Sequence, residues 1–294
     1  MYKKILIILI IIIIVIISLI YLKNFILYQP HKDHPIKYCK FFHKLSKLTE
    51  PENIHHLYLK TPDNILLDTI VIRNTDTNKC IIYFHGNAGN IAMRYNIIKF
   101  LFNYASVIVF DYRSFGRSTG SFITMNQQDL STDAETIWNY VIKNLHFNPN
   151  NISLFGESLG CSVAISLAVN ISKNFDSKFY PHSLILNSPF YSLSEMVKSI
   201  FHKANLSQIG SVLSNLFREY QSDKLIPFMN QHTKIIIAHS HNDEIIPFEQ
   251  GLKLYQLIAN THINSKFIII NGSHNNPGLP DEYIYTLADL FNDW

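Results

Sequence analysis

Six short apolar runs, separated by helical patterns, constrain the fold of this chain more than any other feature. They read CIIYFHG, SVIVFDYR, ISLFG, SLILNSP, KIIIAHS and KFIIING. Strands that are buried on both faces of a parallel sheet are continuously apolar in this way. Helical patterns lie between the runs at residues 91–104, 128–145, 161–171 and 249–259. This alternation predicts right-handed βαβ crossovers, and therefore an α/β fold with a mostly parallel central sheet and flanking helices.

Length, charge and cysteine content exclude several classes of protein. The 294 residues suffice for one large core plus an appendage. The formal net charge is only +3 and the lysines are scattered, so nucleic acid is not an expected partner. Cys39, Cys80 and Cys161 are widely spaced and form no CxxC pair. They therefore indicate neither a disulfide framework nor a zinc site.

The N-terminal segment is apolar enough to enter a membrane. In residues 5–22, Ser18 is the only polar side chain. A helix of this length spans about 27 Å, close to the hydrocarbon thickness of a bilayer. A cleaved signal peptide would have a shorter apolar region that ends in small residues, whereas Tyr21 and Leu22 end this one. We therefore predict an uncleaved single-pass signal-anchor, a transmembrane helix in residues 1–24, followed by a juxtamembrane segment in residues 25–50.

The lysines after the apolar stretch bear on membrane topology. They outnumber those before it, which favours a cytoplasmic C-terminal domain but does not fix its side. Within KFFHKLSKL, residues 40–48, Phe41, Leu45 and Leu48 lie at helical spacing beside lysines. Two interpretations remain open for this segment. It is either a basic amphipathic helix on an anionic membrane surface or a helix packed on the folded domain with its lysines in water.

Residues 51–294 are predicted to form the folded domain. It opens with a hairpin, because IHHLYLK and ILLDTIVIRN flank the turn-forming residues 62–64. Between SLILNSP and KIIIAHS the chain is longer than a crossover needs. Apolar residues at helical spacing occur there in 193–201 and in 209–217. Residues 190–232 are therefore either a helical cap over a site or further cover for the sheet.

The pentapeptide GESLG, residues 156–160, contains the first candidate for chemistry. Glycines at both ends permit a sharp strand-to-helix turn that exposes the central side chain, as a nucleophile elbow requires. The apolar run ISLF precedes it, and CSVAISLAV follows it as an apolar helix. The hydroxyl of Ser158 would then lie near a helix N-terminus. We predict Ser158 as a nucleophile.

A serine nucleophile needs a base and an acid that orients the base, in the chain order Ser, Asp or Glu, His. His274 follows the last apolar run and is the predicted base. Asp243 follows KIIIAHSHN, and its short side chain suits a fixed partner for an imidazole. Glu244 is the alternative acid if the loop register differs. The carboxylates of Asp223 and Glu249 fall in predicted helices and are weaker candidates.

Two glycine-rich loops follow the first two apolar runs. FHGNAGN lets the backbone approach a ligand closely, so we predict the amides of Asn87 and Leu159 as donors to an oxyanion. A plain turn into a helix is the alternative. DYRSFGRSTG contains Arg113, but it lacks the Gly-Lys-Ser/Thr ending of a P-loop and has no GxGxxG. We interpret it as a structural loop beside the site.

In this order, FHGNAGN, DYRSFGRSTG, FGESLG, NDEIIP and GSHN resemble the membrane-anchored α/β-hydrolase-domain proteins of the bud-emergence type. The resemblance covers about residues 57–294 and implies the α/β-hydrolase fold behind an N-terminal hydrophobic anchor. It also implies Ser158 as nucleophile, Asp243 as acid and His274 as base. Among such relatives, some are thioesterases that remove fatty acyl groups from proteins, and others act on lysophospholipids.

This chain departs from the family pattern at three positions. Ser114 and Cys161 stand where many relatives carry glycine, and Asn276 stands where an acidic residue is common. These departures remove no catalytic group, but Cys161 is close enough to the elbow to alter the shape of a substrate site.

The sequence as a whole predicts a membrane-anchored serine hydrolase that cleaves acyl esters or thioesters through an acyl-enzyme. Such a reaction needs no metal and no organic cofactor. The expected partners are a membrane and an acyl-chain or lipid-like substrate, including an acylated protein. The alternatives are a catalytically silent hydrolase fold that serves as a membrane scaffold, a phospholipase or a serine peptidase.

Overall fold

The structure is a computed structural model that describes residues 2–32, 34–262 and 264–292. Its helices are α1 Tyr2–Leu27, α2 Pro35–Leu45, α3 Tyr95–Phe102, α4 Gln127–Lys143, α5 Leu159–Asn174, α6 Leu193–Lys203, α7 Ser207–Leu213, α8 Ser222–Leu225, α9 Phe248–Ala259 and α10 Asp281–Asn292. Its strands are β1 Gln29–Pro30, β2 Ile54–Lys60, β3 Leu66–Ile72, β4 Cys80–Phe84, β5 Ala88–Gly89, β6 Ser106–Phe110, β7 Ile152–Glu157, β8 Ser183–Asn187, β9 Lys234–Ser240, β10 Ser265–Ser273 and β11 Asn276–Gly278.

The central sheet confirms the predicted architecture. Among the described residues it has nine strands, in the order β11-β10-β9-β8-β7-β4-β6-β3-β2. The six strands β4, β6, β7, β8, β9 and β10 pair in parallel, and they coincide with the six apolar runs. Strands β2 and β3 form the predicted antiparallel hairpin, and Asn64 in its turn has φ 69°. The fold is therefore α/β with a mostly parallel sheet.

Helices cover both faces of this sheet. Ile82 and Phe84 of β4 pack among residues of α4, α5 and α9. Ile81 and Tyr83 of the same strand point the other way, into a core shared with α2, α3 and α10. Because successive side chains of a strand point to opposite faces, a fully apolar strand needs an apolar layer on each side. The continuous apolar runs are explained by this three-layer arrangement.

The segment that was predicted as a basic amphipathic helix folds against the domain. Helix α2 buries Tyr38, Phe41 and Leu45 in the core on the α3 and α10 side of the sheet. Its apolar side is therefore occupied by the protein, as the second of the two interpretations expects. Lys40 and Lys44 on its other side are exposed.

The transmembrane helix predicted for residues 1–24 is not found among the residues that the structure describes, where no helix is long and apolar enough to cross a membrane. Helix α1 continues past residue 24 to Leu27, and its last turn packs on the folded domain. Asn24 and Leu27 are buried there. The side-chain NH₂ group of Asn24 shares its two hydrogens among the carbonyl oxygens of Phe122, Ile123 and Met125, at 3.0, 2.8 and 2.9 Å from its nitrogen.

The segment 190–232 consists of α6, α7 and α8 with short turns between them. Leu193 and Val197 of α6 are buried, whereas Ile200 and Val212 are exposed by 42% and 71%. Helices α6 and α7 pack closely together, because a Cβ on Gly210 would lie 2.5 Å from that of Phe201. One side of this helical pair thus covers the sheet, and the other leaves apolar side chains in solvent.

Candidate active site

Ser158 occupies a strained turn between β7 and α5. Its backbone has φ 54° and ψ −119°, a conformation that is costly for a residue with a side chain. The two glycines of the pentapeptide supply space for this turn. A Cβ on Gly156 would lie 2.6 Å from the Cα of Cys161, and one on Gly160 would lie 2.1 Å from the carbonyl oxygen of Phe84. Ser158 itself therefore carries the unusual backbone angle, while Gly156 lets the turn fit against the start of α5 and Gly160 lets it fit against β4.

The sheet topology places this turn where ligand sites of open α/β sheets form. From β4 the chain proceeds to β6 on one side, and β7 lies on the other side of β4. The strand order thus reverses between β4 and β7, and a crevice opens at their carboxyl ends. His85 and Gly86 follow β4 at this edge, and Ser158 follows β7.

The three predicted catalytic side chains lie in hydrogen-bond contact. The Nε2 atom of His274 is 3.1 Å from Oγ of Ser158, and its Nδ1 atom is 2.7 Å from Oδ2 of Asp243. A carboxylate only accepts hydrogen bonds, so Nδ1 carries the proton and donates it to Asp243. Nε2 is then free to accept the hydroxyl hydrogen of Ser158. This arrangement suits general-base activation of the serine.

Backbone amides and a second histidine hold Asp243 in place. Its Oδ1 atom accepts from the amides of Ile245 and Ile246 at 3.0 and 2.7 Å. The Nε2 atom of His239 donates to the carbonyl of Ile246 at 3.0 Å and lies 3.4 Å from Oδ2 of Asp243. Burial by itself raises the pKa of Asp243, but the nearby imidazole N–H of His239 and the hydrogen bond from His274 outweigh it and hold the pKa well below its usual range. The carboxylate therefore stays ionised beside the imidazole.

The alternative acids have other contacts. Glu244 Oε2 accepts from the backbone nitrogen of His274 at 3.0 Å, so it fixes the loop. Asp223 lies in α8, and Glu249 lies in α9 with its Oε2 atom 3.6 Å from Nζ of Lys203. The loop register thus places Asp243, and not Glu244, against the imidazole.

The two predicted oxyanion donors flank Ser158 in different ways. Asn87 lines the pocket beside the serine hydroxyl. Leu159 is the first residue of α5 and its side chain is buried, so its backbone amide is the only group it can present to a substrate. A helix N-terminus favours negative charge. The position of both residues is compatible with an oxyanion hole.

The loop that carries Asn87 is held by the N-terminal part of the chain. Strand β1 pairs in parallel with β5, and the amide of Gln29 donates to the carbonyl of Asn87 at 2.9 Å. The side-chain amide of Asn87 donates to the carbonyl of Leu27 at 3.1 Å. In the same N-terminal segment, Tyr28 OH lies 2.8 Å from Tyr220 OH. This hydrogen bond connects the segment to the turn before α8.

The pocket beside Ser158 is small and polar. Its volume is about 40 Å³, and its walls come from the loops after β4, β7, β8 and β10. A cleft of about 220 Å³ adjoins it and adds the apolar side chains of Met93, Ile97, Phe100 and Leu279. Among the described residues, the walls of both cavities contain no residue of 190–232. The candidate cap thus contributes no wall to these two cavities.

Arg94 and Glu157 line both the pocket and the cleft, and sequence analysis did not identify them as site residues. Arg94 Nη2 donates to the carbonyl of Ala88 at 2.6 Å, and Nη1 is 4.0 Å from Glu157 Oε2. The hydroxyl of Tyr83 also donates to Glu157. Burial, and then the charge of Glu157, raise the pKa of Tyr83 well above its usual range. Glu157 is the variable position of GxSxG, and no motif marks Arg94.

The loop DYRSFGRSTG is structural, as predicted. Arg113 is buried and forms ion pairs with Asp63, Asp129 and Asp133 at 2.7, 3.0 and 2.7 Å. These bonds tie the hairpin turn and α4 to the loop. Ser114 has φ 73°, a left-handed conformation for which glycine is the favoured residue. The glycine that the family resemblance implies at this position would adopt this conformation at lower cost.

Fold and site together define an α/β hydrolase. The model of the prolyl oligopeptidase family matches residues 119–285, more than half of the chain, and the protein belongs to this family. An uncharacterised protein of Acanthamoeba polyphaga mimivirus is 98% identical over 294 residues, 100% of both chains. Protein bem46 of Schizosaccharomyces pombe is 28% identical over 79% of this chain and 74% of its own. Lysophosphatidylserine lipase ABHD12 of Danio rerio is 27% identical over 72% of this chain.

These relatives confirm the predicted resemblance to the bud-emergence type of α/β-hydrolase-domain protein. This chain spans 56% of the length of the Danio rerio lipase. Solved structures show the same fold. An α/β hydrolase from Vibrio vulnificus has a TM-score of 0.76 at 20% identity, over 92% of each chain. An esterase from Pyrococcus furiosus has a TM-score of 0.66 at 17% identity, over 91% of this chain and 98% of its own.

Proposed function

We propose that this protein is a serine hydrolase that cleaves acyl esters or thioesters, with Ser158 as nucleophile, His274 as base and Asp243 as acid. The observation that supports the proposal most strongly is the chain of hydrogen bonds from Ser158 Oγ through His274 to Asp243, at 3.1 and 2.7 Å. The first residue of this hydrogen-bonded chain, Ser158, lies in a backbone turn with φ 54°. Strain at a non-glycine residue is characteristic of functional sites.

In the proposed mechanism, His274 Nε2 takes the hydroxyl proton as Ser158 Oγ attacks the carbonyl carbon. The ionised Asp243 stabilises the imidazolium that forms. The amides of Asn87 and Leu159 donate to the oxyanion, a role in which one donor contributes about 3 kcal/mol to transition-state stabilisation. His274 then protonates the leaving alkoxide or thiolate, and the same histidine activates the water that releases the acid from the acyl-enzyme.

The cleft next to the pocket supports an acyl chain as part of the substrate. Ile97, Phe100 and Leu279 form an apolar wall beside polar groups that could hold the ester end. Ligand sites typically combine apolar walls with a few polar groups that fix orientation. The names of two similar proteins, a lysophosphatidylserine lipase and an esterase, agree with this substrate class.

Labelling with a fluorophosphonate probe tests the nucleophile. The wild-type chain should be labelled, and Ser158→Ala should not. Ser188→Ala is the matched control, because Ser188 lines the same pocket, and it should still be labelled. Equal labelling of wild type and Ser158→Ala, or labelling of neither, would refute the proposal and favour a catalytically silent scaffold.

The acyl-chain cleft can be tested separately. Ile97→Trp should reduce hydrolysis of long-chain esters while short-chain esters are still cleaved, because the larger side chain fills the cleft. Ile200→Trp is the control, since Ile200 lies on the exposed side of α6. If Ile200→Trp has the stronger effect on long chains, the chain lies under α6 and the assignment of the cleft is wrong.

The family match makes a serine peptidase the second candidate within the enzyme class. A panel of acyl esters, acyl thioesters, phospholipids and prolyl peptides would separate the possibilities. We expect acyl esters or thioesters to react fastest. Turnover of the peptides alone would replace the proposed substrate class with a peptide.

We also propose that helix α1 attaches the protein to a lipid bilayer. Among the side chains of α1 that the structure describes, Ile11, Ile14, Ile17 and Phe25 are exposed by 54–59%. Contiguous apolar surface of this kind is rare in contact with water. The full chain should stay in the pellet after alkaline carbonate extraction, and Ile11→Gln combined with Ile14→Gln and Ile17→Gln should weaken this attachment. Complete release of the wild-type chain would contradict it.

A further inference from the structure

A second cavity, about 300 Å³ in volume, lies between α2 and the loop that follows β5. Its outer wall consists of basic and imidazole side chains: His31, Lys32, His34, Lys37, Lys40 and Lys44. We call this cavity the basic groove. Phe41, Ala92 and Met93 form its apolar part. The groove is separate from the three residues of the proposed catalytic mechanism, and that mechanism gives it no role.

Among the described residues, no ion pair neutralises the lysines that α2 contributes to the basic groove, although Lys44 Nζ lies 5.2 Å from the ring centroid of Tyr95. Lys37, Lys40 and Lys44 lie at i, i+3 and i+7 on α2, a spacing that puts them on one side of the helix. The helix contains no acidic residue, and the ion pairs that the described residues form do not include these three lysines. Like charges at this spacing destabilise a helix. An anion bound between them would relieve the repulsion.

The position of Lys37 in the helix makes its positive charge more unfavourable. It is the third residue of α2, in the first turn, where the helix dipole favours a negative side chain. The helix cannot rotate to carry the lysines away from the groove, because the side chains of Tyr38 and Leu45 are buried in the core. Residues 31–48 as a whole contain five lysines and one acidic residue, Asp33, which lies outside the described residues. This surface is therefore suited to an anion.

The location of the groove indicates which kind of anion it binds. It begins at His31, four residues after α1 ends at Leu27. If α1 attaches to a bilayer, as proposed above, this short connection keeps the groove near the layer of lipid head groups. Lysines next to a membrane-attached helix attract anionic lipids. We propose that the basic groove binds the phosphate-bearing head group of an anionic phospholipid at the bilayer surface.

Binding there would orient the catalytic pocket towards the bilayer. Met93 lines both the basic groove and the cleft beside Ser158. The side-chain amide of Asn90, which also lines the groove, donates to the carbonyl of His31 at 3.2 Å. A head group in the groove would thus hold the mouth of the cleft close to lipid-borne substrate.

The test uses the full chain with Ser158→Ala, in neutral detergent, so that the ligand is not hydrolysed. Calorimetric titrations compare dihexanoyl phosphatidylserine, dihexanoyl phosphatidylcholine and inorganic phosphate. We expect saturable binding that is strongest for phosphatidylserine. Lys37→Gln with Lys40→Gln should weaken it about 30-fold, from about fivefold for each lysine next to an anionic lipid surface. Lys143→Gln with Lys253→Gln, at two exposed lysines of other helices, should leave it unchanged.

Three results would overturn the proposal. Equal binding of the two lipids would show that the negative charge is not recognised. Equal binding by the two double variants would place the site elsewhere, and phosphate binding as tight as that of phosphatidylserine would replace the lipid with a soluble anion. Fluorophosphonate labelling of Lys37→Gln with Lys40→Gln on the Ser158 background should match wild type. Failure of the serine hydrolase proposal would appear in that labelling, and failure of bilayer attachment would appear in the carbonate extraction.

Discussion

Replacing Asp243 with asparagine tests the orientation of the proposed base. The backbone amides of Ile245 and Ile246 both donate to Oδ1 of Asp243, so an asparagine would keep its carbonyl oxygen at that position. Its NH₂ group would then face Nδ1 of His274. Two donors cannot share that contact, and the imidazole must shift its proton to Nε2. A protonated Nε2 cannot accept the proton of Ser158.

The alternative orientation of the asparagine side-chain amide is also unfavourable. Turning its oxygen towards His274 would leave the amides of Ile245 and Ile246 facing its NH₂ group, at a cost of about 1–3 kcal/mol for each unpaired donor. We therefore expect kcat to fall by about 10³ to 10⁴, equivalent to about 4–5.5 kcal/mol of activation free energy. KM should change little, because Asp243 is not part of the pocket wall.

The assay is steady-state hydrolysis of an activated short-chain ester, with folding checked by thermal unfolding. Glu244→Gln is the matched control, since a glutamine carbonyl can still accept from the backbone nitrogen of His274 as Glu244 does at 3.0 Å. This variant should keep most of its activity. A kcat for Asp243→Asn within about tenfold of wild type, or an equal loss in Glu244→Gln, would refute the orienting role of Asp243.

Three further changes have expected outcomes. Gly160→Ala should abolish fluorophosphonate labelling and lower the free energy of unfolding by about 4 kcal/mol or more in a urea titration, because its Cβ would lie 2.1 Å from the carbonyl oxygen of Phe84. Asn24→Ala should cost about 2 kcal/mol through the loss of two N–H donors to buried carbonyls, whereas Lys23→Ala should cost at most about 1 kcal/mol. Burial, aided by the charge of Arg94, lowers the pKa of His85 to about 3. Neutral His85 therefore stabilises the fold above pH 6.5, and this contribution is lost by about 1.4 kcal/mol per pH unit as the pH falls from 6.5 towards 3. His85→Asn should remove that part of the pH dependence of unfolding, and an unchanged dependence would contradict the low pKa.

The sheet and the proposed catalytic side chains were predictable because their signals are local. A strand buried on both faces must be apolar throughout, so each run of the parallel sheet is visible by itself. The carboxyl ends of parallel strands gather at one edge, and this brings Ser158, Asp243 and His274 together although 85 and 31 residues separate them along the chain. Chain order and loop position were therefore sufficient to predict the contact.

The groups that line the pocket or support the fold around it from other elements were not predictable in this way. Arg94 reaches the pocket from the start of α3, where no motif marks it, and His239 contacts Asp243 from within β9. Asn24 falls in the segment that the sequence predicts as a membrane anchor, yet it is buried and donates to three carbonyls of a loop about a hundred residues away. Contacts between such distant segments have no periodic signature in the sequence.

The loop that carries Asn87 shows why this matters for catalysis. Stabilisation of an oxyanion requires donors that are fixed before the reaction, and a loop with the sequence GNAGN has high conformational freedom by itself. Its rigidity comes from β1, whose backbone pairs with β5, and from the side-chain bond of Asn87 to the carbonyl of Leu27. The segment that follows α1 is thus part of the proposed active site. A truncation that removes only the apolar residues before Lys23 should leave the oxyanion loop in place, whereas a truncation past Pro30 should lower kcat even in a chain that still folds.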